Sequence, residues 1–202
     1  MGLMLRLKYF VNDRYNARYL KKLNIVDNTP VAVSDFTNTQ NSKDHACPYM
    51  CVWLLNIDRI VAASGVSPRD YDFLDVGCGK AVSTIYVSAQ YQFRSVSGFD
   101  FEPKLLEIAR NNIKNSVITS KFSVFQADAS ELVLERKKWF LFIFNSFDAV
   151  VMDNFLTNNV EMLRETGSVL GYANAREMET LRMYSPKRII EIESYRCGVV
   201  FF

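Results

Sequence analysis

The sequence is poor in the residues that build metal centres and disulfide frameworks. It has one histidine, His45, and four cysteines, Cys47, Cys51, Cys78 and Cys197, at irregular spacing. Irregular cysteines in a reducing compartment are thiols rather than a disulfide scaffold. His45, Cys47 and Cys51 lie close together, but no second pair completes four ligands, so no metal is expected. No run approaches the roughly 20 apolar residues of a membrane helix. Arg6 and Lys8 interrupt the apolar start and no small-residue cleavage site follows, so a signal peptide is not expected and the compartment is read as cytoplasmic. Gly2 invites myristoylation, but Arg6 stands where a Ser or Thr is wanted. Charge of one sign is scarce too: 24 basic and 22 acidic residues leave net +2, which by itself implies no nucleic acid.

The chain has 202 residues, 49% hydrophobic, enough for one domain with a full core. Its charge is unevenly placed. Residues 1–22 carry Arg6, Lys8, Arg14, Arg18, Lys21 and Lys22 against Asp13 alone. That reads as a solvated helix face, or as a patch for an acidic partner or a membrane surface. The organisation changes near residue 70. Before it lie a polar loop, Val33–Lys43, and a helical run, Met50–Ala63. The expected division is a helical and loop cap over 1–70 and a core over 71–202, together one structural domain.

From Tyr71 onward short apolar runs alternate with amphipathic ones. Strands are expected at Asp72–Val76, Ser95–Phe99, Ser120–Gln126, Trp139–Phe144, Ser168–Ala173, Arg188–Ser194 and Gly198–Phe202. Helices are expected at Lys80–Gln90, from Pro103 onward, at Ser130–Arg136, at Asp148–Glu165 with Gly167 as its stop, and at Ala175–Met183. Phe147–Met152 is apolar enough for a strand, but its pattern continues to Leu163 as a helix does. Alternation of this kind gives an α/β fold, a Rossmann-like sheet that is mostly parallel with helices on both faces. Only Tyr195–Cys197 separates the last two strands, which is hairpin length, so one antiparallel strand belongs near the edge.

The chemistry concentrates at strand ends. Phe73-Leu74-Asp75-Val76-Gly77-Cys78-Gly79-Lys80 runs an apolar strand into Gly-x-Gly and then a helix. Such a turn brings backbone close to a ligand and points helix N–H groups at it. Asp100, followed by Phe101, ends the next strand, where a carboxylate can accept from both hydroxyls of a ribose. Asp128 and Ala129 follow the third strand, where an Asp can accept from an adenine amino group. Alone, each acid is equally a cap or turn residue; in line along one sheet edge they form a slot for a nucleoside.

On these residues the stretch Asp72–Phe147 resembles the class I S-adenosylmethionine-dependent methyltransferases. The resemblance implies seven strands ending in an antiparallel hairpin and S-adenosylmethionine as cofactor. It implies that Asp75, Gly77, Cys78 and Gly79 wrap its methionine, that Asp100 and Phe101 hold the ribose, and that Asp128 and Ala129 flank the adenine. Ala81 departs from it, since many members have a further glycine there. A nicotinamide-binding domain shares the glycine turn and acid, but Val82 stands where its third glycine would be, and Asp75 would repel a pyrophosphate.

The fourth strand ends in Asn145-Ser146-Phe147, similar to the Asn-Pro-Phe motif of some bacterial members and of amine-methylating enzymes, with Ser146 in place of proline. The resemblance implies that Asn145 faces the cofactor and accepts a hydrogen bond from the methyl acceptor; a helix N-cap is the alternative reading. Pro48-Tyr49 resembles a Pro-aromatic pair that starts a lid helix, which would place Tyr49 beside cofactor or substrate. His45 is a candidate general base or an exposed loop residue. The expected activity is methyl transfer to N or O on a small molecule or protein, protein lysine among them. A module with this fold that has lost catalysis is the competing reading.

Overall fold

The computed structural model describes residues 3–38, 41–118 and 122–202. Gly2, and Ser120 and Lys121 at the start of the expected third strand, lie outside these residues.

The strands are β1 (Asp72–Val76), β2 (Val96–Asp100), β3 (Ser123–Gln126), β4 (Trp139–Phe144), β5 (Val169–Ala173), β6 (Arg188–Ile192) and β7 (Cys197–Phe201). They form one sheet in the order β3-β2-β1-β4-β5-β7-β6. β7 runs antiparallel to both β5 and β6, one strand in from the edge; the other pairings are parallel. The order reverses between β1 and β2 on one side and β4 on the other, and ligands of open α/β sheets bind in the crevice at such a switch point.

The helices are α1 (Leu3–Lys22), α2 (Leu54–Ser64), α3 (Val82–Gln90), α4 (Pro103–Asn115), α5 (Ala149–Thr166) and α6 (Met178–Met183). Both faces of the central strands are buried, so β4 reads Trp-Phe-Leu-Phe-Ile-Phe without alternation. Phe73, Phe140 and Phe142 turn to the layer of α2 and α3. Leu74, Leu141 and Ile143 turn to α5, which contributes Val151, Phe155 and Leu163. Helix ends follow local chemistry. Pro103 opens α4, and the Glu102 side chain caps it by accepting from the Lys104 N–H. Asp148 caps α5, making the Phe147–Met152 region loop and helix, and Gly167 ends it with φ of 65°.

Three expected helices differ. No helix forms over Ser130–Arg136. Asn159 on α5 accepts from the Leu134 N–H and donates to the Leu132 carbonyl, and Asn158 donates to Ser130. Backbone groups that a helix would pair internally are bonded to α5 instead. The run from Met50 becomes helical only at Leu54, where the Asn16 side chain accepts from the first backbone N–H. Tyr49 is therefore not at a helix start; it sits in an extended bridge with Val31. The Ala175–Met183 helix likewise shortens to Met178–Met183.

The polar loop contains two single 3-10 turns, Val33–Asp35 and Asn41–His45. With its flanks it forms a strap over the sheet's carboxyl edge. Asn112, wholly buried, accepts from the Val26 and Asp27 N–H groups and donates to the Asp27 and Lys80 carbonyls. Ala46 bridges Phe147, and the Cys47 N–H donates to Ser146. Among the described residues no helix is long and apolar enough to cross a membrane.

Candidate active site

At the switch point a cleft of about 810 Å³, counted out to the open solvent at its mouth, lies between the strap and the ends of β1, β2, β3 and β4. Asp75, Gly77, Cys78, Gly79, Asp100, Phe101, Asp128, Ala129, Asn145 and Tyr49 all line it. Residues spread from position 49 to 145 are thus brought to one surface.

The glycine turn is shaped by close contacts. Gly77 and Gly79 have φ of 72° and 53°, in the left-handed region. A Cβ on Gly77 would lie 2.4 Å from the Ser146 Cβ, and one on Gly79 would lie 2.3 Å from the Tyr49 ring. Ser146, where the resemblance has proline, packs on the turn and donates to the Val76 carbonyl at 3.0 Å, tying β4 to β1. Ala81 holds φ of 60° at the start of α3 and is buried. The missing glycine therefore leaves the turn open, at a conformational cost of about 1–2 kcal/mol for an L-residue.

The carboxylates are buried and differently engaged. Asp75 accepts from the Ser83 and Thr84 hydroxyls at the start of α3. Asp100 accepts from the Gly79 N–H at 2.8 Å and the Glu102 N–H at 2.9 Å, one on each oxygen. Burial pushes both carboxyls up to about 6, with hydroxyl and backbone donors opposing the shift. Each oxygen of Asp100 keeps a further lone pair. Asp128 accepts from the Ser130 N–H and hydroxyl through one oxygen, forming a turn rather than capping a helix. The Lys80 ammonium is turned away, 2.7 Å from Asp27 and 3.0 Å from the Thr29 hydroxyl. Among the described residues that line the cleft are Asp75, Asp100 and Asp128 and no Lys or Arg, which suits a positively charged ligand and repels a pyrophosphate.

Asn145 ends β4 with φ of 44°. Its amide nitrogen donates to the Cys47 sulfur at 3.4 Å, and its Oδ1 is buried with no donor among the described residues. A buried acceptor left unpaired costs about 1–3 kcal/mol, so this oxygen is an open acceptor position on a residue that lines the cleft. The N-cap reading of Asn145 is overturned, because Asp148 caps α5. Burial raises the Tyr49 phenol well above its usual range and raises the Cys47 thiol.

His45 is not brought into the cleft. Its Nδ1 lies 2.8 Å from Asp148, and the ring lines a neighbouring groove with Glu131 and Asn154. All four cysteines are free. Cys47 and Cys51 lie on extended chain, not on one helical face, with Cys47 against Asn145 and Cys51 against Asn16.

Two residues matter here that sequence reasoning passes over. Glu102, fully buried, accepts from the Thr37 N–H and hydroxyl and from the Asn38 N–H, clamping the strap beside Asp100. Those donors hold its carboxyl below the usual range despite burial. Lys80 clamps the strap's other end. Glu102 before Pro103 is visible as a helix cap, but its partners lie about 65 residues away.

Sheet order and acid-lined switch point define the fold of the class I methyltransferases. Residues 73–171, just under half of the chain, match the family described as a methyltransferase domain. The chain is similar to a ribosomal protein L11 methyltransferase of Ruminiclostridium cellulolyticum, 24% identical over 132 residues, 64% of this chain and 41% of the relative. It thus spans about two fifths of that relative's length. Similar solved folds include a putative S-adenosyl-L-methionine-dependent methyltransferase of Methanococcus maripaludis, with TM-score 0.56 and 12% identity over 74% of this chain and 83% of that one. Another is the ribosomal protein L11 methylase of Lactobacillus delbrueckii subsp. bulgaricus, with TM-score 0.54 and 14% identity over 74% of this chain and 76% of that one. A third is the M1A22 tRNA methyltransferase of B. subtilis, with TM-score 0.53 and 14% identity over 71% and 63%.

Proposed function

We propose that the chain is an S-adenosylmethionine-dependent methyltransferase whose acceptor is a neutral amine nitrogen on a small molecule or protein. The observation that carries this reading is the buried, donorless Oδ1 of Asn145 in the same cleft as Asp75, Asp100 and Asp128. An acid-lined cleft with a glycine turn suits a ligand that is both a nucleoside and a cation. Asp100 offers its lone pairs to ribose hydroxyls, Asp128 its second oxygen to an adenine amino group, and Gly77, Cys78 and Gly79 the close backbone. When bound, S-adenosylmethionine supplies the electrophilic methyl group on a sulfonium.

Asn145 Oδ1 orients the acceptor by taking one N–H bond, leaving the nitrogen lone pair free for in-line attack. The protein's contribution is position and exclusion of water. Nitrogen is favoured over oxygen because the cleft offers no ready base. Its three carboxylates are engaged, His45 lies outside, and Tyr49 and Cys47 are shifted away from ionising. A neutral amine attacks without prior deprotonation; an alcohol does not. The names of the similar proteins span a ribosomal protein and tRNA, so acceptor class rests on the site. Protein lysine is one such acceptor once its ammonium has lost a proton to solvent.

Calorimetry with S-adenosylmethionine tests the cofactor, with Asp100→Ala expected to weaken binding at least about tenfold through lost charge-assisted hydrogen bonds. Turnover of labelled cofactor with amine acceptors tests the activity. Asn145→Ala is expected to lower kcat about tenfold to a hundredfold while cofactor affinity is retained. Equal turnover by this variant overturns the acceptor role. Cofactor binding without turnover on any acceptor favours the module that has lost catalysis.

A further inference from the structure

Helix α1 turns polar side chains inward: Asn12 and Asn16 are 1% and 9% exposed, beside Tyr15, Tyr19 and Leu20, which pack on the core. Asn12 accepts from Arg59 at 3.0 Å, Asn16 donates to the Val52 carbonyl at 2.7 Å, and the Tyr15 hydroxyl donates to Asp58 at 2.9 Å. The outward face carries Leu7, Phe10 and Val11, which are 60%, 56% and 46% exposed. These sit at i, i+3 and i+4, so they form one contiguous patch rather than scattered surface residues. Arg14, Arg18 and Lys21 continue the same face, and Arg6 and Lys22 flank it, all exposed. Asp13, the helix's sole acid, accepts a hydrogen bond from the Trp53 indole. The helix carries net +5, and the rest of the chain net −3.

We propose that the outward face of α1 docks the protein on an anionic lipid surface. Leu7, Phe10 and Val11 enter the interfacial layer, and Arg14, Arg18, Lys21 and Lys22 meet acidic headgroups. Exposed apolar side chains next to cations combine burial in the interfacial layer with attraction to anionic headgroups. The charge separation orients the molecule, since the acidic body is repelled from the surface that attracts the helix. A second copy would set like charges against each other along this face. A nucleic acid would meet the cations but leave the apolar patch in water.

The test is co-sedimentation of the full chain with vesicles of phosphatidylcholine alone and of phosphatidylcholine mixed with phosphatidylserine. Binding is expected on the mixed vesicles, weakened by salt and weak on the neutral ones. Leu7→Ser with Phe10→Ser, and separately Arg14→Glu with Arg18→Glu, are each expected to reduce partitioning at least about tenfold. Both pairs are exposed, and circular dichroism checks that the fold is kept. No binding to mixed vesicles overturns the proposal. So does binding that the charge reversal removes but the serine pair does not, which marks a general polyanion site. A dimer in sedimentation velocity that the serine pair dissolves, without vesicle binding, overturns it in favour of self-association.

Discussion

At the scale of single residues the site is governed by two kinds of crowding, steric at the glycines and electrostatic at the acids. Gly79 gives its space to the Tyr49 ring. Gly79→Ala must both adopt a left-handed φ and displace that ring, so unfolding free energy is expected to fall by about 2 kcal/mol. Adding Tyr49→Ala relieves the steric part alone, and a double-mutant cycle in denaturant is expected to show coupling of about 1 kcal/mol. Strict additivity would mean that the ring does not rest on the turn.

The acids make a prediction of opposite sign for stability and for binding. A free aspartate titrates near ~3.9, whereas Asp75 and Asp100 do so at about 6. Between these values the native state holds more protons than the unfolded chain, so stability falls as pH rises from about 4 to about 6 and then levels. The ligand-free protein is therefore expected to be more resistant to denaturant at pH 5 than at pH 7, and Asp75→Asn to shrink that difference. A cationic ligand prefers the ionised carboxylates. Affinity for S-adenosylmethionine, measured by calorimetry, is expected to rise over the same interval.

At the scale of elements the strap walls one side of the cleft. Its holds include Lys80 with Asp27 and Thr29, Asn112 with Val26 and Asp27, Glu102 with Thr37 and Asn38, and the Ala46–Phe147 bridge. Glu102→Gln removes the charge from four hydrogen bonds. It is expected to cost about 1–3 kcal/mol locally. Amide exchange should quicken at Thr37 and Asn38 while the amides of β1 and β4 stay protected. Equal acceleration everywhere would show that the strap belongs to the global folding unit and does not open by itself. Ser146 works at the same scale, since its hydroxyl binds the end of β4 to the glycine turn across which a cofactor would lie.

At the scale of the whole molecule, a ligand that bridges the ends of four strands and the strap stabilises all of them together. S-adenosylmethionine at a hundred times its dissociation constant is expected to raise unfolding free energy by about 2.7 kcal/mol, read as a shift of the denaturant midpoint. No shift at that ratio would mean that the ligand does not select the native state.

The sequence by itself determined the order of the strands and the placing of acids at three strand ends. Both are short-range properties: apolar runs that exclude water, glycines that permit a turn, and acids placed directly after a strand. It also placed Pro103 and Gly167 at helix ends, where backbone restraint acts over one or two residues. Tertiary structure alone decided that Ser130–Arg136 is not a helix, because asparagines of α5 take its backbone groups. It alone set Tyr49 on Gly79, left the Asn145 oxygen without a donor, and turned His45 to Asp148 rather than into the cleft. It alone turned Asn12 and Asn16 inward and left Leu7 and Phe10 outside, against the expectation for an amphipathic helix. Each of these depends on partners far apart in the chain, and hydrogen bonding and close packing choose such partners only once the sheet has brought them together.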